Sequence, residues 1–419
     1  MPRLSLLTLF TLLLATSACT TSTLRGPSPA TPDGAQAQLD VADAYIPKRG
    51  NPRPAGGAPV VGPWDGTGRA YVANQEAGTV SVVDLASGAT RTIQAGEDPH
   101  HAYLTLDQRW VLVTTHHGDD FILAIDTENG DAVRRVATGE GSAPLHLSQS
   151  PETGAIAVSL HGTGEVAILD PATARLVRTV PGIGRMPRDL GFALGGRKLF
   201  VLPTGDTTLA VVDTDDWEVR HVPRHPGGVH HDYSEVEHSG LDVSLDGRLV
   251  AITNPPADEV VFFDAETEAI VGRVRGIPSP GNPSFLGTTG FLGTGNPTDG
   301  SVSIIDTRGG AFRLVTTVPT GPGANIPQLG PDGLVYATAN DGDAVAVIDP
   351  ESWERVGSIG GLQGPHWIVF SPDGARGYIT NASGSTVTVV ELADRSERRE
   401  LAVGAGPNGI MLRTPMDGR

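Results

Sequence analysis

Eight short apolar segments, each ending in an acidic residue, recur along this 419-residue chain. They are VSVVD ending at Asp84, LAID at Asp126, VAILD at Asp170, LAVVD at Asp213, VVFFD at Asp264, VSIID at Asp306, VAVID at Asp349 and VTVVE at Glu391. The intervals between the acidic positions are 42, 44, 43, 51, 42, 43 and 42 residues. A near-constant period of this length marks a chain built from stacked copies of one small unit. Each unit has an apolar strand upstream of the acidic one, as in RAYVAN at 69–74, VYATAN at 335–340 and RGYITN at 376–381. A polar turn and a further strand follow, such as TRTIQAG, and one more comes after a Gly-Pro-type turn, as in GPHWIVFSPDG. Helical repeats would need long stretches at a 3.6-residue period, and none is present.

Four short strands per unit, repeated eight times, predict an all-β fold, an eight-bladed β-propeller over residues 67–415. The ends of the repeat favour closure. The chain enters its first unit at the second strand, RAYVAN, and finishes on a lone first-strand equivalent, PNGIMLRT at 407–414. That last strand would complete the first blade and leave no exposed sheet edge. The recurring acidic residue is expected to accept hydrogen bonds from the turn after it.

The N-terminus points to export. Arg3, an apolar run from Leu4 to Ala15, small residues and Cys19 make the three parts of a secretory signal over residues 1–18. Cys19 is the single cysteine. It resembles the cysteine of a bacterial lipobox, with Thr16 three places before it; the resemblance implies lipidation of Cys19 and attachment to a membrane. Plain secretion with an idle Cys19 is the alternative. Residues 19–66, rich in Pro, Gly, Ala, Ser and Thr, read as a flexible tether. A periplasmic or cell-surface location is expected.

Propeller topology then sorts the histidines. With strands A to D counted outward from the axis, the D-to-A and B-to-C connections leave from one face. On that face fall His100, His101, His116, His117, His146, His161, His225, His230, His231, His238 and His366, eleven of the 12 histidines. Only His221 falls elsewhere, in a D strand. The equivalent position after the D-to-A turn is read as His100, Leu145, Arg188, Ser239, Ser284, Gln328, His366 and Asn408. The 51-residue interval carries its extra length in one such connection, HPGGVHHDYSEVEHSG at 225–240.

Neutral imidazoles converging on a funnel can hold zinc or copper, and carboxylates can complete or orient the shell. The candidate ligands are His100, His101, His116, His117, His146 and His161 from adjacent blades, His230, His231, Asp232 and His238 from the insertion, and His366. Asp119, Asp120, Glu235 and Glu237 are possible helpers, and Arg188 and Asp189 flank the first group. Asp119 and Asp120 also fit an ordinary turn, and His366 beside Trp367 could simply pack the funnel wall.

The repeats resemble YVTN-type and cytochrome d1-like propellers. The HHDYSEVEHSGLD segment further resembles the AztD-type zinc metallochaperones, which implies zinc binding and delivery to the solute-binding protein of an importer. The chain lacks the histidine-rich N-terminal tail that could capture metal. Redox chemistry is the alternative, because cytochrome d1-like and nitrous oxide reductase propellers use funnel histidines for haem or copper. A c-type haem motif is absent, so electrons would come from a partner. A histidine general base of lactonase or lyase type and a metal-free interaction scaffold also stay open. Nucleic acid is excluded: a formal charge of −18 and a pI near 5.0 repel a phosphate backbone. The Gly-rich FLGTGNPTDGSVS lacks the helix and lysine of a nucleotide loop.

Overall fold

The computed structural model describes residues 65–115, 119–224, 239–396 and 398–414. The 1–18 leader, Cys19 and nearly all of the tether lie outside the described residues. So do His116, His117, His225, His230, His231, Asp232, Glu235, Glu237 and His238.

Among the described residues, 32 strands, numbered β1 to β32 in chain order, form eight four-stranded antiparallel sheets. Blade 1 is assembled from both ends of the repeat, in the order β3 (Thr90–Gln94), β2 (Thr79–Asp84), β1 (Arg69–Asn74), β32 (Pro407–Arg413). Each of the other seven blades takes four consecutive strands, starting at β4 (Pro99–Leu104) for blade 2 and β28 (Pro365–Phe370) for blade 8. The sequence pattern follows from this stacking. Middle strands are covered on both faces by neighbouring blades, so they read as continuous apolar runs such as FILAID, in which only Phe121 is not fully buried. Outer strands meet water, and in β3 only Ile93 is buried.

The recurring acidic residues act as turn anchors, as expected from sequence. Asp84 accepts hydrogen bonds from the Ser87 N–H at 2.8 Å and its hydroxyl at 2.6 Å. Asp170 and Asp264 do the same with Thr173 and Thr267. These bonds hold all three carboxyls below their ordinary range, led by the Ser87 and Thr173 hydroxyls for Asp84 and Asp170 and by the Thr267 N–H for Asp264. Glu391 instead pairs with Arg376 at 2.5 Å. A second repeated clamp explains the asparagine ending RAYVAN, FLGTGN and RGYITN. The buried Asn74 amide donates to Thr79 and Ser81, Asn296 to Ser301 and Ser303, and Asn381 to Thr386 and Thr388, fixing the turn to the third strand.

Ring closure is explicit. β32 pairs with β1 from Arg413 opposite Arg69 to Pro407 opposite Asn74. Ile410, Met411 and Leu412 are buried in one core cluster with Tyr71, Val82 and Leu104. Blade 1 is also latched to blade 2 through the buried Asp131, which accepts from the Tyr71 hydroxyl at 2.5 Å and pairs with Arg69 and Arg91. Burial pushes the Tyr71 hydroxyl well above its ordinary pKa. No helix among the described residues is long and apolar enough to cross a membrane.

Candidate metal centre

The innermost strands bring the histidines together, and they do so by a repeated irregularity. β4, β8 (Pro144–Gln149), β12 (Pro187–Ala193), β28 and β32 each begin at a proline. Register with the next strand shifts just after it, between Pro99 and His101, Pro144 and Leu147, Pro187 and Leu190, and Pro365 and Ile368, with the same break beside Pro407. A bulge re-aims the side chains that follow it. The candidates His100, His101, His146 and His366 therefore sit at the bulged start of strand A, not in the D-to-A turn itself.

Pairing also corrects two positions of the sequence alignment. Pro283 opposes Thr294 and Pro327 opposes Ala337, the register that Ile368 and Leu190 occupy opposite Ile379 and Val201. Those prolines thus stand three residues into the repeat. The true equivalents of His100 in blades 6 and 7 are Gly281 and Asn325 rather than Ser284 and Gln328.

The second residue after the proline reaches toward the following blade, and this builds a chain of contacts around the ring. His101 of blade 2 lies 5.1 Å, ring centre to ring centre, from His146 of blade 3. The His146 Nδ1–H donates to the Asp189 carboxylate of blade 4. The other Asp189 oxygen accepts the Leu241 N–H of blade 5 at 3.0 Å. In blade 1 the equivalent residue is Gly409, where an added Cβ would stand 3.0 Å from both His101 Cα and Ala102 N. Glycine keeps that place open, and the Trp367 indole of blade 8 comes within 5.5 Å of the His101 ring. His100 completes the group, edge-on to His101 at 4.1 Å and nearly parallel to His146 at 6.0 Å.

One ring nitrogen from each of His100, His101 and His146 lies within 4.8 Å of the others. A tetrahedral zinc with nitrogen ligands near 2.05 Å would draw them to about 3.4 Å apart, a contraction within reach of ring rotation. His101 and His146 are buried, at 6% and 2% exposure, while His100 is half-buried and forms the side from which an ion would arrive. Asp189, 1% exposed, fixes the His146 tautomer. With the proton on Nδ1, the neutral ring carries its lone pair on Nε2, the arrangement by which a carboxylate orients a metal-ligating histidine.

The other candidates are placed elsewhere. His161, in the B-to-C turn, donates its backbone N–H to Ala143 and does not join the three-histidine group. His366 is half-buried against Trp367 and is also outside it. Asp119 and Asp120 accept the Glu97 and Ser142 N–H groups, so they staple neighbouring loops as turn residues. His221 lies in strand D and bridges Thr208 and Gly182. Gly409 and the Trp367–His101 contact escaped the sequence reading; the signal was their shared place, two residues beyond Pro407 and Pro365.

A comparison with curated proteins finds no match. Similar solved structures include the dihydro-heme d1 dehydrogenase NirN in complex with DHE, at TM-score 0.68 and 14% identity, covering 92% of this chain and 82% of that one. Apo AztD from Citrobacter koseri aligns at TM-score 0.58 and 15% identity over 82% of this chain and 97% of its own. The hydrazine synthase of Kuenenia stuttgartiensis aligns at TM-score 0.51 and 17% identity over 65% and 90%. At these identities the likeness is one of fold. The YNCE-like beta-propeller family matches residues 118–415, well over half of the length, and the chain belongs to that family.

Proposed function

We propose that this chain is an exported metal-binding propeller that holds a zinc ion on His100, His101 and His146. The observation that carries the reading is the convergence of three imidazoles from two adjacent blades, with the buried Asp189 orienting one of them. Three neutral nitrogen donors suit zinc and leave a fourth position for water or a transferring ligand. Gly240, the last residue of the histidine-rich 225–240 insertion, is followed directly by Leu241, whose N–H donates to Asp189, so the insertion rejoins the ring beside this site. That proximity supports a capture-and-hand-over role, in which the insertion feeds or drains the ring site. Likeness in fold to AztD is in keeping with delivery to a solute-binding protein of a metal importer. Lipidation at Cys19 and a tether over 19–66 would keep the propeller at the membrane outside the cytoplasm.

Haem and general-base chemistry fit less well. The depth of His101 and His146 disfavours a planar macrocycle bound at those two rings, and a His146–Asp189 dyad acting as base would need a substrate at a ring that is 2% exposed. A bare ion can reach both. Copper remains the competing ion, since imidazole suits it as well.

The test is calorimetric titration of zinc into metal-free protein. One ion per ring site is expected at neutral pH. Affinity should fall steeply as pH drops through about 6.5, where free imidazole gains a proton, because the ligating nitrogens must be unprotonated. Binding that is indifferent between pH 7.5 and 5.5 would argue for carboxylate ligands and against this site. Asp189→Asn should lower zinc affinity about 10- to 100-fold, since the amide keeps one oxygen for the His146 N–H but carries no charge and turns its NH2 toward the Leu241 N–H; circular dichroism checks that the variant is folded. Unchanged affinity in that variant would show that Asp189 is only structural.

A further inference from the structure

We propose that the opposite end of the ring carries a second binding site, for an organic cation with an apolar body. A cavity of about 510 Å³ opens there among the A-to-B turns and the later halves of the inner strands of blades 2 to 6. Its volume lies in the range of small-molecule sites. Leu147, Leu190 and Val243 are among its walls, and Leu245, 40% exposed, is a large apolar side chain left facing water. The charged residues that line it are Glu152, Asp242 and Asp246, and among the described residues no lysine or arginine does.

Apolar walls with charge of one sign select a ligand by both properties. The walls take a hydrocarbon or aromatic body out of water, which drives binding. The carboxylates then favour a positive group and repel an anion of the same shape. Asp242 is half-buried and held in place, its Oδ2 accepting the Phe285 N–H at 2.9 Å. A fixed carboxylate beside an apolar wall is what an organic ammonium or phosphonium requires. The site uses none of the three clustered histidines, so it stands or falls independently of the metal reading.

Tetraphenylphosphonium and tetraphenylborate, matched in size and opposite in charge, are the probes, titrated into the purified full chain. The phosphonium should saturate at one per chain and bind about tenfold or more tighter than the borate. Asp242→Asn keeps an oxygen for the Phe285 N–H and should fold; it should cut phosphonium affinity about fivefold and raise, not lower, that of the borate. Glu351→Gln removes one negative charge at an exposed turn away from the cavity and should change neither. Failure of the phosphonium to bind, equal affinity for the two probes, or equal losses in the Asp242 and Glu351 variants would overturn the proposal. The last outcome would assign the preference to the overall negative charge.

Discussion

A chain that ends at Gly406 should not hold the ring together. The cut removes β32, uncovering the β1 edge and the faces that Ile410, Met411 and Leu412 bury at 0 to 3% exposure. Burying each such side chain contributes about 1.5–3 kcal/mol, so the three together approach the whole stability of an ordinary domain, about 5–15 kcal/mol. Strand pairing and the bonds that Asn408 makes with Gln75 and Thr380 are lost as well. Thermal unfolding followed by circular dichroism should show no cooperative transition in the truncated protein, and its exposed edge should make it aggregate. A truncated chain that melts within a few degrees of the full one would mean that β32 does not close the ring.

The second large effect concerns the histidines. Changing His100, His101 and His146 together to alanine should abolish tight zinc binding. Four-ligand structural zinc sites are worth about 10–16 kcal/mol in all, so each imidazole carries about 3 kcal/mol, or roughly a hundredfold in affinity. His100→Ala alone should cost about that hundredfold while leaving the fold intact, because His100 is the half-buried member. Changing His230, His231 and His238 to alanine should instead leave the ring ion in place and slow its loading or transfer. If the insertion variant loses the tight ion and the ring variant keeps it, the site belongs to the insertion.

The eight blades were legible because a propeller repeats its burial pattern with its chain. Middle strands such as VVFFD and VSIID must be apolar on both faces, and the polar turn after each acidic residue recurs at the same place. Closure was legible from the two incomplete ends. Topology predicts one face for His100, His101, His146, His161 and His366, the described members of the set, but distance within that face depends on details that a repeat alignment does not carry. His161 sits one strand farther from the axis than the start of strand A, and so misses the cluster that His146 joins. Proline identity misled the alignment at Ser284 and Gln328, because register is set by strand pairing, which places Pro283 and Pro327 three residues into the repeat instead of at its start. The direction in which each inner side chain leans, toward the next blade, is a consequence of the bulge. It explains why His146 meets Asp189 and not Arg188.

Zinc-edge anomalous scattering from crystals of the zinc-loaded protein tests the central claim most directly. The account predicts one strong peak bounded by nitrogens of His100, His101 and His146 at about 2.0–2.1 Å, with Asp189 still bonded to the far side of His146. A peak held elsewhere, with these three histidines unligated, would contradict it.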